Sequence, residues 1–337
     1  KQLLKLSAAS LLVVGALSVQ ASTLSDVQAK GHVSCGVSKG LAGFSSADSS
    51  GTWTGIDVDV CRAVAAATLG DATKVKFVPL TAKERFTALQ SGEIDMLSRN
   101  TTWTITRDAS LGLNFAGVNY YDGQGFMASA DLGVSSATEL DGATICIQTG
   151  TTTELNLADF FRLNNISYEP VPIETNAEAQ QQYLAGACDA YTTDRSALAA
   201  TRTSFEKPDD HVVLKEIVSK EPLGPVVRHG DNEWGDIVRW TLNAMITAEE
   251  FGVTAANAAD LAANSNIPEV KRLLGTEGKL ADYLGLDASW ALRAIQAVGN
   301  YGESFDRNIG ESTPIKLNRG VNSLWTDGGL IYSPPFR

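Results

Sequence analysis

Two stretches of the chain gather the polar side chains best suited to holding a small charged molecule. The first runs Ser98-Arg99-Asn100-Thr101-Thr102 and continues to Arg107. A guanidinium is planar and offers paired N–H groups, so it can grip both oxygens of a carboxylate at once. The second is Thr149-Gly150-Thr151-Thr152-Thr153-Glu154, where threonines stand at a helix start and Glu154 can complete a capping box. A helix start presents unpaired backbone N–H groups and the positive end of a dipole, which suits an anion. Asp194, closing the run that begins at Cys188, is the matching group for a cation, because a buried carboxylate needs an opposite charge. Each has a plainer use. Arg107 can pair with Asp108 on the surface, the threonines can cap and nothing more, and Asp194 can bridge to Arg195. Catalytic sets are not visible. His32, His211 and His229 lie outside these stretches, and there is no Ser-His-Asp arrangement or glycine-rich phosphate loop. Glu84, Glu93 and Glu154 fall where surface or capping roles suffice.

The elements that must position these residues alternate between strand and helix, the pattern of an α/β fold with mainly parallel sheets. Residues 32–37 read as a short strand, and a loop leads to Gly55. In the helix that follows, Ile56, Val60, Val64 and Ala67 keep the 3.6-residue period and Gly70 ends it. Strand 74–79, helix 82–95 and strand 94–98 complete the unit. The rhythm returns with strand 143–148, the TGTTTE helix, strand 166–171 and a helix from 177 that feeds the strand ending at Asp194. Two α/β units result, at roughly 30–122 and 126–218, followed by a strand at 226–227, a helical stretch over 234–297 and a polar tail over 302–337. Arg107 then lies just past a strand end, at the carboxyl edge of a parallel sheet, where open α/β folds bind ligands.

The first residues read as an export signal. Lys1 and Lys5 precede an apolar run from Leu6 to Val19, and the small residues of Val19-Gln20-Ala21 suit cleavage after Ala21. The run is shorter than the ~20 residues that span a bilayer. The formal charge is −12, and losing Lys1, Lys5 and no acid takes the mature chain to −14. That balance argues against nucleic acid and anionic lipid as partners, though not against a small anion in a locally positive site. Cys35, Cys61, Cys146 and Cys188 suit an oxidising compartment and show no zinc spacing. Of their three possible pairings, the two-unit layout favours Cys35–Cys61 and Cys146–Cys188, each stapling a strand to a nearby helix.

Several segments resemble one family in order and spacing: GIDVDVCRAVAAA (55–67), ERFTALQSGEIDMLSRNTTWTITRD (84–108), QTGTTTE (148–154) and CDAYTTD (188–194). The chain resembles the polar amino-acid-binding proteins of ATP-binding cassette (ABC) uptake systems, solute-binding protein family 3. The tail from Asn300 to Arg337 is similar to the general L-amino-acid-binding subfamily. The resemblance implies a two-lobed type II periplasmic-binding-protein fold, with two parallel-type sheets joined by a hinge of two strands near 121–126 and 218–223. Lobe 1 is expected from 22–122 plus 223–337 and lobe 2 from 126–219, closing on the ligand by a hinge motion. For the site it implies that Arg107, Thr102 and Thr152 hold the α-carboxylate, that Asn100 and Thr101 line the ammonium side, and that Asp194 takes the ammonium. Where relatives restricted to basic amino acids carry an acidic and an aromatic residue, this chain has Ser38 and Leu41, so nothing favours a basic side chain. Phe44 either closes the pocket or packs in the core, and Arg99 is a candidate contact for an acidic side chain. The implied function is a monomeric periplasmic receptor, without metal or cofactor, that takes L-amino acids broadly or favours Glu, Gln, Asp and Asn. It delivers them to the permease subunits of an ABC importer. A sensing receptor domain and a dehydratase-type enzyme on the same fold are the alternatives.

Overall fold

The computed structural model describes residues 22–337; the export signal, with its expected cut after Ala21, lies outside the described residues. Two five-stranded sheets organise two lobes. In the first, Val33–Ser38 is buried at every position and lies between the parallel strands Val75–Leu80 and Met96–Leu97. Val226–Arg228 comes next and Leu113–Phe115 closes the sheet, both pairings antiparallel. The second sheet repeats the plan: Tyr168–Ile173, Ala143–Gln148 and Ala190–Asp194 run parallel, and Gln124–Ser129 and His211–Val213 add antiparallel pairings. Each sheet thus has the expected parallel core, extended on one side by two antiparallel pairings. A parallel neighbour needs a helical crossover. Gln124–Ser129 and Val226–Arg228 instead come directly from the crossing segments, without a helix to turn them.

Between the sheets the chain crosses twice. Tyr120–Asp122 and Glu221–Leu223 form an antiparallel ribbon with Tyr120 opposite Leu223 and Asp122 opposite Glu221. Just beyond it the two crossing segments touch backbone to backbone: a Cβ placed on Gly224 would lie 1.9 Å from the Gly117 carbonyl oxygen. Asn322, from the C-terminal tail, clasps the ribbon. Its Oδ1 accepts from the Tyr121 N–H at 2.6 Å and its Nδ2 donates to the Tyr121 carbonyl at 3.0 Å.

The helix Ile56–Leu69 buries Ile56, Val60, Val64 and Ala67 as its period requires, and ends at Gly70 in the left-handed conformation, φ 73°. Cys61 on this helix is bonded to Cys35, and Cys146 to Cys188, with Cα atoms 6.2 and 5.5 Å apart. The expected continuous helical stretch over 234–297 is broken into Asn232–Glu250, Ala258–Asn264, Pro268–Leu273 and Trp290–Val298. Gly252, Gly275 and Gly285 take positive φ at the breaks, and Pro268 can start a helix but not continue one. The tail read as polar contains the helix Tyr301–Asn308, closed by a capping box between Asn300 and Glu303, with Tyr301 and Phe305 buried in the first lobe's core. Phe336 reaches the same core, edge-on to Trp240. Among the described residues no helix is long and apolar enough to cross a membrane.

Candidate functional site

The loop after Met96–Leu97 carries Asn100, Thr101 and Thr102, and its shape is set from below. Asp57, 1% exposed at the start of helix Ile56–Leu69, accepts the Asn100 N–H at 2.7 Å, the Ser98 hydroxyl at 3.1 Å and the Asn119 amide at 3.1 Å. Asn100 sits at φ 33°, a conformation asparagine tolerates better than most residues. Burial raises the Asp57 pKa, and the Asn100 N–H works against the rise.

From this loop the side chains diverge. Asn100 turns its Nδ2 to Asp194 across the interface between the lobes, 3.5 Å away, and leaves its buried Oδ1 without a partner. Thr101 is fully buried. Its hydroxyl donates to the Arg99 carbonyl at 3.0 Å, and its own carbonyl accepts from the Gly224 N–H at 3.0 Å. The Thr102 hydroxyl lies 3.3 Å from that of Thr152, so residues 50 apart in the chain meet across the cleft. Arg107 stands on the short π-helical turn Thr106–Ser110 and folds back to donate to the Thr102 carbonyl at 2.8 Å. Asp108 does not hold it; Asp108 accepts from the Trp103 indole instead.

On the second lobe, Thr151 caps the helix Thr152–Leu163 by accepting from the Glu154 N–H. Glu154 reaches back to the Gly150 N–H at 2.9 Å, one residue before the cap. This frees the Thr152 hydroxyl to face the cleft. Asp194 stands where it could cap the helix Arg195–Arg202 yet makes no capping bond, and Arg195 turns away to the Leu214 and Glu216 carbonyls. Asp194 is 5% exposed, and burial pushes its pKa well up, with Asp122 and Glu221 adding to the rise.

Four residues that the motifs did not flag complete the cluster. Glu221, from the hinge ribbon and 1% exposed, accepts from the Thr102 hydroxyl at 2.6 Å and the Thr152 hydroxyl at 2.8 Å on one oxygen. Its other oxygen accepts from Ser219 at 2.6 Å and Asn156 at 2.8 Å. Asp122, also on the ribbon, accepts from the Ser196 hydroxyl, and burial raises its pKa to about 6. Arg85 is 2% exposed on the helix Arg85–Gln90. One of its terminal nitrogens has only long contacts, to the Arg99 carbonyl at 3.5 Å and the Thr101 hydroxyl at 3.4 Å, and its Nε has no partner. Phe86 carries the Arg85 and Arg107 guanidinium groups 4.7 and 5.1 Å from its ring centre.

Phe44 is 1% exposed in the first lobe's core and meets Tyr120 edge to face. Arg99 is buried with its Nε committed to the Leu80 carbonyl at 3.0 Å. A groove of about 890 Å³ lies between the hinge segment 120–123, residues 195–209 and the tail 314–322, and contains none of the expected site residues.

Burial of charge governs the cluster. It lowers the pKa of Arg85 well below normal, helped by Arg107 and Arg99, and brings Arg99 and Arg107 to about 10. Three arginines and the carboxylates of Asp122, Asp194 and Glu221 share this space, yet none of these six forms an ion pair within 4.0 Å with any described residue. Unpaired buried charges of both signs, with an orphaned donor and an orphaned acceptor, suit a guest that carries both signs itself.

Residues 33–255 match the bacterial extracellular solute-binding proteins, family 3. The chain is 61% identical over 326 residues to the glutamate/glutamine/aspartate/asparagine-binding protein BztA of Rhodobacter capsulatus, covering 97% of this chain and 96% of that one. It is 58% identical over 331 residues to the general L-amino acid-binding periplasmic protein AapJ of Rhizobium johnstonii, covering 98% and 97%. Among solved structures, an ABC transporter periplasmic binding protein from Brucella ovis with glutathione bound superposes with a TM-score of 0.92. It is 58% identical and covers 94% of this chain and all of its own. The chain belongs to the bacterial extracellular solute-binding proteins of family 3.

Proposed function

We propose that this protein is a periplasmic receptor that captures L-amino acids, with Glu, Gln, Asp and Asn among its ligands, and hands them to the permease subunits of an ABC importer. The observation that carries the reading is the buried cluster of unpaired arginines and carboxylates with Arg85 Nε and Asn100 Oδ1 left free. The names of the relatives with matching length support the ligand class and the transport role. In this reading Arg107, Thr102 and Thr152 hold the α-carboxylate, with the start of helix Thr152–Leu163 adding its dipole. Asp194 and the free Asn100 Oδ1 take the ammonium, while Thr101 shapes the loop. Arg85, rather than Arg99, faces the ligand side chain, because Arg99 is already bonded through its Nε to the sheet. Lobe 1 comprises 22–122 with 223–337 and lobe 2 comprises 126–219; the mature chain acts as a monomer, binds its ligand without chemical change, and is cut after Ala21.

The test is calorimetric titration of ligand-stripped protein with L-glutamate, L-asparagine and L-alanine, beside Arg107→Ala and Asp194→Asn. Removing one partner of a buried charge contact costs about 2–5 kcal/mol, so each variant binds about 30-fold or more weakly. Wild-type protein that binds none of the three overturns the reading, as does steady turnover of any of them.

A further inference from the structure

Of the contacts proposed for the ligand, Thr152 and Asp194 both come from the second lobe, one at a helix start and the other at a strand end. A single side chain joins the segments that carry them. Gln124 opens the strand Gln124–Ser129 and stands directly opposite Asp194 in the antiparallel pairing with Ala190–Asp194. Opposed residues in such a pair share a face of the sheet, with Cβ atoms about 5 Å apart. The Gln124 Nε2 donates to the Thr153 carbonyl at 3.0 Å and to the Thr192 hydroxyl at 2.9 Å. A carbonyl only accepts, so the Thr153 contact settles which end of the amide points there. The backbone is held as well. Its N–H donates to the Ser219 hydroxyl at 3.2 Å, and its carbonyl accepts from the Val218 N–H at 3.0 Å.

Gln124 is 0% exposed. Both donations of its amide stay inside the lobe, and its Oε1 has no partner. Among the described residues, the other buried side-chain atoms in that condition are Arg85 Nε and Asn100 Oδ1, both already placed in the site. An open buried oxygen is costly, and a methionine would fill the same space without it. What the amide adds over an apolar side chain is its pair of donations.

We infer that Gln124 is a positioning residue of the ligand site: by tying Thr153 to Thr192 it fixes the spacing between Thr152 and Asp194, and so favours ligands whose ammonium stands on the carbon next to the carboxylate. The inference rests on the receptor reading for the two ligand groups being spaced. A β-amino acid carries the same groups with one more C–C bond, about 1.5 Å, between them. A fixed pair of contacts rejects that change, and a pair free to shift tolerates it.

The experiment compares wild type with Gln124→Met, which keeps the length of the side chain and removes both donations. L-alanine and β-alanine are isomers with different spacing of the two groups, and their displacement of labelled L-glutamate is measured for each protein. The expected result is that L-alanine binds about tenfold or more weakly and that its advantage over β-alanine contracts about threefold or more. An unchanged or wider ratio overturns the inference and leaves Gln124 a scaffold residue. Melting curves confirm folding. If Gln124→Met does not fold, Thr192→Val removes one of the two acceptors while keeping the side chain's shape, and the same contraction decides the matter. If wild type binds no amino acid, the receptor reading falls by itself. Amide hydrogen exchange over 151–155 and 192–196 then still reports on the tie: faster exchange in Gln124→Met supports it, and unchanged exchange overturns it.

Discussion

Asp194 occupies a helix-cap position without capping, and its neighbours Asp122 and Glu221 repel it. An amino acid's ammonium reverses that situation. Burial and the neighbouring acids raise the Asp194 pKa, so its charged form is disfavoured without an opposite charge beside it, and whatever stability this lends the folded protein is present at low pH and lost as pH rises through the raised value. Ligand ammonium favours the charged form, so binding lowers the pKa and expels a proton. Affinity should therefore strengthen as pH climbs from about 4 toward neutrality. Calorimetry across the acid range in buffers of different ionisation enthalpy should show proton release, and Asp194→Asn should abolish it. Arg85 supports a second prediction. Arg85→Met keeps the volume but removes a buried charge that lacks an ion pair, so the ligand-free melting temperature should rise. Affinity for L-glutamate should fall by about tenfold or more while that for L-alanine changes little. Equal losses for both ligands would make Arg85 a scaffold residue.

At the scale of elements, local signals are what the sequence displayed. The Asn100–Arg107 loop and the TGTTTE helix start are each contiguous, so their residue types and spacing could be read before any fold was known. Glu221, Arg85, Asp122 and Asp57 were not visible in that way. Glu221 meets Thr102 from 119 positions along the chain, with no pattern near it to announce the meeting, and Asp57 meets Asn100 from 43 positions away, inside a segment whose period announces only a helix. Arg85 lies inside a recognised segment, but an arginine on a short helix is ordinarily a surface residue; only its burial marks it. The C-terminal third suffered for a different reason: Gly252, Pro268 and Gly275 interrupt an apolar periodicity that reads as continuous. Two predictions belong here. Gly224→Ala would drive a Cβ into the Gly117 backbone, where neither chain can yield easily, and should cost about 1–3 kcal/mol in urea denaturation. Replacing Cys146 and Cys188 with serine frees a loop of 42 residues and should cost roughly 4 kcal/mol by the chain-entropy argument.

At the scale of the whole molecule, the first sheet is assembled from distant parts of the chain. Val226–Arg228 lies inside it, between Met96–Leu97 and Leu113–Phe115, whereas every strand of the second sheet falls between Gln124 and Val213. A chain delivered from its N-terminus thus supplies the second sheet in full before the first can close. At 5–20 residues per second, the interval between Phe115 and Val226 lasts on the order of ten seconds. During that time two strand edges in the first half wait for the partner that belongs between them, and open edges are where chains misassociate. The second-born half of the protein is therefore the first to be finished, and the waiting half is the one a chaperone has reason to guard.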